Sequence, residues 1–143
     1  IAELRARDVV AYLAGGPVPE LERVTAYDLG SVAGVRLTFT DVCPRGERDA
    51  LCFLAAAEAS PDAIEDGDVA GTAFGVVMPA AGGAGRGARI GRLVDEAGAP
   101  LREKVEGLAW ARPDGSGSRA YAVVDRDDPD LPTELLELDV AGL

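Results

Sequence analysis

The sequence predicts an all-β protein made of antiparallel four-stranded units, the blades of a β-propeller. Two observations carry this. From Lys104 to Val140 the chain reads strand, turn, strand, acidic loop, strand, which is the grammar of one blade. The same grammar occurs earlier. Phe39–Cys43, a turn, Leu51–Ala57, an acidic loop with Pro61-Asp62 and Thr72–Val77 overlay on Val105–Ala109, a turn, Tyr121–Val124, an acidic loop with Pro129-Asp130 and Glu134–Val140. A repeat of this length outweighs local propensity, because each copy is one unit that cannot bury its apolar faces alone.

Taken in order, Ile1–Leu13 places Leu4, Val9, Val10 and Leu13 so that it reads as a short helix or as a strand tail with a helical turn. Gly15-Gly16-Pro17 ends either one. Glu22–Leu29 alternates and reads as a strand, as does the β-branched, aromatic run Val35–Cys43. Ala50–Ala57 is apolar without a break, the pattern of a strand covered on both faces. Gly71–Met78 is the next strand. Ala88–Asp95 reads as a fourth strand or as a helix. The expected organisation is one partial propeller domain over residues 1–143. Residues 22–34 supply an outer strand of a preceding blade, 35–95 one blade, and 101–143 a second, partial blade. About two to three blades of a larger propeller are thus present. Since a propeller needs at least about four blades and open strand edges invite aggregation, the expected partners are the remaining blades of the same propeller or a second copy of the chain.

The chain has 143 residues and is 48% hydrophobic, enough for a domain with its own core. Its net charge of −11 disfavours nucleic acid and anionic membrane as partners, both of which require a basic surface. No apolar run reaches the roughly 18 residues of a membrane-crossing helix. There is no histidine. That removes the Ser-His-Asp triad, the Cys-His dyad and every histidine-containing zinc site, and two cysteines cannot build a four-cysteine one. Acid–base chemistry would fall to carboxylates, tyrosines or Lys104. The start at Ile1 lacks a charged-then-apolar leader and is expected to be a cut in a longer protein, so the compartment stays open.

V-T-A-Y-D-L-G (24–30), L-T-F-T-D (37–41), A-A-A-E (55–58), G-T-A-F-G (71–75), K-V-E-G-L-A (104–109) and V-D-R-D-D-P (124–129) resemble the C-terminal half of an uncharacterised bacterial family of roughly six-bladed β-propellers. The E-G-L-A opening is also similar to propellers named for esterase-like phytase activity and to gluconolactonase-like propellers. The resemblance implies the propeller fold, and in those relatives carboxylates of inner strands meet at a central channel and can hold Ca²⁺.

On an inner strand, Glu106 could point into such a channel. Asp41 lies near the equivalent place in the other copy. The expected metal residues are therefore Glu106 and Asp41, with Ca²⁺ as the cofactor, since oxygen-only ligands suit a hard cation. The bland alternative is a solvated carboxylate or one bonded to a neighbouring blade's amides. Asp125, Asp127, Asp128 and Asp130 lack the spacing of an EF-hand and read as Asx-turns, and Glu65–Asp68 reads as a turn. Gly83–Ala88 fits G-x-G-x-x-A, and Ile90, Leu93, Val94 and Ala97 have helical spacing, so a dinucleotide-binding βα turn is the rival reading of that stretch. Cys43 and Cys52 flank a short turn and are either bridged or two buried thiols. Trp110 and Tyr121 are expected to pack between blades. The functional expectation is a ligand- or partner-binding propeller module, possible stabilisation by Ca²⁺ included. The alternative is a metal-dependent hydrolase of a phosphoester or lactone whose metal at Glu106 polarises the substrate or activates water. No residue is singled out as catalytic.

Overall fold

A computed structural model describes residues 1–45, 50–60, 67–78, 87–111, 119–126 and 128–140. The described residues are mostly β, in small antiparallel sheets with one short helix. At the N-terminus β1 (Ala2–Leu4) pairs with β2 (Leu21–Val24), and α1 (Ala6–Leu13) connects them. The helix buries no residue. β3 (Ser31–Val32) and β4 (Val35–Arg36) form a tight hairpin whose two turn residues, Ala33 and Gly34, both have positive φ. That is the turn whose twist matches the twist of paired strands.

The expected strand over Glu22–Leu29 ends at Val24. Beyond it, Asp28 Oδ1 accepts the Gly30 N–H at 3.0 Å, an Asx-turn, and Gly30 sits at φ +76°, which reverses the chain. The run Val35–Cys43 likewise divides, because Leu37 gives its N–H to Gly30 O instead of to a sheet partner. It leaves β4 as one short strand and β5 (Thr38–Pro44) as another.

β5, β6 (Leu51–Glu58), β7 (Val69–Val77) and β8 (Arg89–Arg92) form a four-stranded meander in chain order. β9 (Val105–Trp110), β10 (Arg119–Val124) and β11 (Glu134–Asp139) form a three-stranded one. The unbroken apolar run of β6 is covered on both faces, as its composition predicts. Cys52, Leu54, Phe74 and Val76 face the second sheet, where they meet Val105, Ala120, Ala122 and Val124. Phe53, Ala55, Ala57, Ala73 and Val77 face Leu29, Val32 and Leu37. Phe39 stands edge-on to Phe53 at 4.9 Å, and Tyr27 edge-on to Phe39 at 6.0 Å.

Of Ala88–Asp95, Arg89–Arg92 is a strand, for β8 pairs with β7 from Ala73↔Arg92 to Val76↔Arg89. The helix that a dinucleotide-binding turn requires is absent there, and the rival reading falls. Its glycines 83 and 85 lie outside the described residues. Ile90 joins the sheet core, and the helical spacing of Ile90, Leu93 and Val94 is coincidental. Trp110 does lie between the sheets, stacked on Phe74 at 6.3 Å and 25° with Arg45 over its ring at 5.0 Å. Tyr121 does not. Its Cα partners are Ala109 and Glu137, and it lies on the outer face of β9–β11, 37% exposed. The alternation of β10 decides this, since Ala120, Ala122 and Val124 take the inner face.

Gly75 is opposite Phe53 on β6. A Cβ there would lie 2.3 Å from Phe53 Cζ and 2.7 Å from the Arg89 carbonyl oxygen. The backbone wall cannot yield as a side chain can. Gly75→Ala is expected to cost about 1–3 kcal/mol in chemical denaturation, and a loss below about 0.5 kcal/mol would mean that Phe53 does not occupy the glycine's face.

Candidate functional site

Two β-bulges set the geometry of the seam between the sheets. On β5 the register passes from Phe39↔Ala55 to Asp41↔Leu54, so Thr40 is the extra residue. On β9 it passes from Val105↔Val124 to Gly107↔Val123, so Glu106 is the extra residue. A bulge re-aims side chains and strengthens local twist. The bulges occupy matching places in the two copies, which makes Thr40 the counterpart of Glu106 and Asp41 that of Gly107. This is the register of the sequence overlay.

Thr40 Oγ1 donates to the Val105 carbonyl at 2.6 Å. Asp41 accepts the Val42 N–H on Oδ1 at 2.7 Å and the Leu108 N–H on Oδ2 at 2.6 Å. Asp41 is thus a strap from β5 to β9, with one backbone N–H on each oxygen. Glu106 is half-exposed and faces Lys104 Nζ at 3.6 Å. The two carboxylates expected to hold a metal have these polar partners, and among the described residues no group of three or more Asp, Glu, Cys or His side chains clusters as a metal site would require.

The acidic loops are divided between described and undescribed residues. Asp128 Oδ1 accepts the Asp130 N–H at 2.9 Å, the expected Asx-turn. Glu58 Oε1 accepts from Ser60 Oγ at 2.7 Å and from the Gly67 N–H at 2.9 Å, closing the base of its loop. Asp62, Glu65, Asp66 and Asp127 lie outside the described residues.

A cleft of about 490 Å³ opens where the start of β7, the approach to β9 and the exit of β10 meet. Arg102, Lys104 and Arg126 line it together with Asp68, Glu103 and Asp125. Three cations gathered at one place stand out in a chain of net charge −11. Its walls are built from the backbone outward. Thr72, buried, takes the Leu101 carbonyl with its N–H at 3.1 Å and the Glu103 carbonyl with its hydroxyl at 2.7 Å, which fixes the 101–104 segment against β7. Asp125 gives its N–H to Lys104 O at 2.9 Å, joining that segment to the end of β10. Arg126 spans the remaining gap. Its Nε lies 3.4 Å from Glu103 Oε2, its Nη2 lies 2.9 Å from Glu134 Oε2, and its Nη1 reaches the Pro132 carbonyl at 3.4 Å. Hydrogen bonds to Glu134 and then Glu103 raise its pKa further above the ordinary arginine value. A fork-shaped guanidinium held on three sides is a rigid wall, while Arg102 is exposed at the rim.

Sequence reasoning places Lys104 and Asp125 at strand boundaries but does not assemble the cleft. Arg102, Glu103 and Arg126 come from segments separated by a whole hairpin, and only the alternation of basic and acidic residues in Arg102-Glu103-Lys104 hinted at a polar wall. A second cleft, of about 400 Å³, lies at the opposite end of the first sheet. Among the described residues Arg45, Ala50, Val76, Met78, Gly87 and Arg89 line it.

Comparison with known proteins finds one family model, described as a family of unknown function (DUF6910), which matches residues 1–129. No curated protein and no solved structure matches.

Proposed function

We infer a function from two premises: the chain belongs to DUF6910, a family of unknown function, and its two meander sheets converge on a charged cleft. The proposed role is a ligand-binding module of the β-propeller type, with the cleft at Arg102, Lys104 and Arg126 as its recognition end. The observation that carries it is the way the sheets stack. Each begins on a bulged strand at the common seam, β5 or β9, and each runs outward in chain order. The loops that line the cleft therefore come from both sheets, as they would in neighbouring blades. A further sheet of the same kind is the expected cover for the outer face of β9–β11, where Tyr121, Val123 and Leu135 are exposed. The cleft is lined by Arg102, Lys104 and Arg126 together with Asp68, Glu103 and Asp125, and Arg102 is exposed at its rim. That suits a small polar ligand with an acidic group directed at Arg102 and hydroxyls at the carboxylates.

Thermal melting against a panel of hydroxycarboxylates, sugar phosphates and CaCl₂ tests this. A ligand at 100 times its Kd adds about 2.7 kcal/mol, a rise of several degrees. One of the anionic compounds is expected to give that rise, and Arg102→Ala to abolish it while the unliganded protein melts as before, since Arg102 is exposed. A rise with CaCl₂ that EDTA reverses and Glu106→Gln removes would instead place recognition at the seam carboxylates. Failure of every anionic compound to raise the melting temperature would overturn the cleft as the site.

A further inference from the structure

The two cysteines are directly opposite each other, Cys43 on β5 and Cys52 on β6. Two residues further along the same register the Arg45 N–H donates to Ala50 O at 2.8 Å, which makes Arg45/Ala50 a hydrogen-bonded pair. Such pairs recur every second residue of an antiparallel ladder, so Cys43/Cys52 is one too. Their Cα atoms are then about 5.5 Å apart, inside the roughly 4.4–6.8 Å window of a disulfide. Side chains of a hydrogen-bonded pair nevertheless stand further apart than those of the alternate pairs. A bridge here must draw the sulfurs together against the ladder. Strain of that kind makes a disulfide easy to reduce. Both cysteines are free in the structure.

We propose that Cys43 and Cys52 form a reversible thiol–disulfide pair that low-molecular-weight disulfides oxidise and low-molecular-weight thiols reduce. The two sulfurs have different tasks. Cys52 is fully buried at 0% exposure, while Cys43 is half-buried and is the one a small molecule can reach. The Cys43 thiolate attacks one sulfur of glutathione disulfide, and one glutathione leaves as its thiolate. Cys52 then loses its proton and attacks the Cys43 sulfur of the mixed disulfide, expelling the second glutathione. The net change oxidises two protein thiols to one disulfide and reduces one glutathione disulfide to two thiols. Burial pushes the Cys52 thiol up to about 12, with neighbouring Cys43 adding to the effect. Burial also raises Cys43, and Asp41 adds to that, against a backbone hydrogen bond from Trp110. Because only thiolates react, closure is expected to accelerate about tenfold per pH unit between about pH 7 and 9.

The pair is adjacent to the seam, and this gives it a readout. Cys43 and Trp110 of β9 pack against the same core cluster. Turning the Cys43 sulfur toward Cys52 alters that packing near Trp110, the chain's one tryptophan. The native protein is treated with glutathione disulfide near pH 8.5, alkylated and weighed intact, with tryptophan fluorescence followed in parallel. The expected product has lost two hydrogens, carries no adduct and shows changed fluorescence; about a tenfold excess of reduced glutathione restores both. Cys52→Ala is expected to accumulate one glutathione adduct, and Cys43→Ser to take up none while folded. A wild-type protein that keeps its adduct without closing, closes only in denaturant, or resists reduction would overturn the proposal.

Discussion

Phe74→Ala is expected to lose about 3–5 kcal/mol of folding stability. Phe74 is 2% exposed and joins Leu54 and Val76 of one sheet to Ala120, Ala122 and Val124 of the other. Ala120 and Ala122 on β10 are too small to fill the space, so a cavity remains and its cost adds to the lost transfer free energy. The substitution also strips Trp110 of the ring on which it stacks. Urea denaturation followed by Trp110 fluorescence measures the loss, with Leu135→Ala, 69% exposed on the outer face of β11, as the reference. The reference should stay within about 0.5 kcal/mol of wild type. Should the Phe74 variant unfold outright, Phe74→Leu at about 1–1.5 kcal/mol is the measurable substitute. Equal losses at Phe74 and Leu135 would mean that the two sheets do not share this core.

Asp41→Ala is expected to cost on the order of 2–4 kcal/mol: about 1.5–3 kcal/mol for the part-buried, charge-assisted bond from Leu108 and about 0.5–1 kcal/mol for the exposed, local bond from Val42. The Leu108 N–H matters more than the Val42 N–H. It belongs to the other sheet, so its loss opens the seam. Asp41→Asn keeps one acceptor oxygen and should lose roughly half as much. Thr40→Val removes a single bond to Val105 O and should cost about 1 kcal/mol. Thr40 and Asp41 are neighbours acting on one strand, so the double variant should depart from additivity. If Asp41→Ala behaves like wild type in water but loses a Ca²⁺-dependent rise in melting temperature, the carboxylate holds a cation and is no strap.

The strands that run straight through a packed layer are legible in the sequence. Leu51–Ala57 is apolar at every position because it is covered on both faces. Arg119–Val124 is a strand of one covered face, and its burial alternates accordingly. The Phe39–Cys43 and Val105–Ala109 overlay even carries the two bulges in register. Where the reading went astray, a local turn overruled propensity. The Asx-turn at Asp28 and the Ala33-Gly34 hairpin cut two expected strands short. Ala88–Asp95 reads as a strand with a helix as the alternative, and pairing of Arg89–Arg92 with β7 decides for the strand.

The sequence by itself determined the β class, the strands that run through the packed layers and the chemistry that a histidine-free acidic chain excludes. Those follow from period, composition and side-chain inventory, which are local properties. Only the tertiary structure decided what the polar groups do. Asp41 became a strap because a bulge turned it toward β9, and Arg102, Lys104 and Arg126 became one cleft because Thr72 and Asp125 fix their segments together. The opposition of Cys43 and Cys52 depended on register. These are relations between residues distant along the chain, and strand pairing and packing fix them.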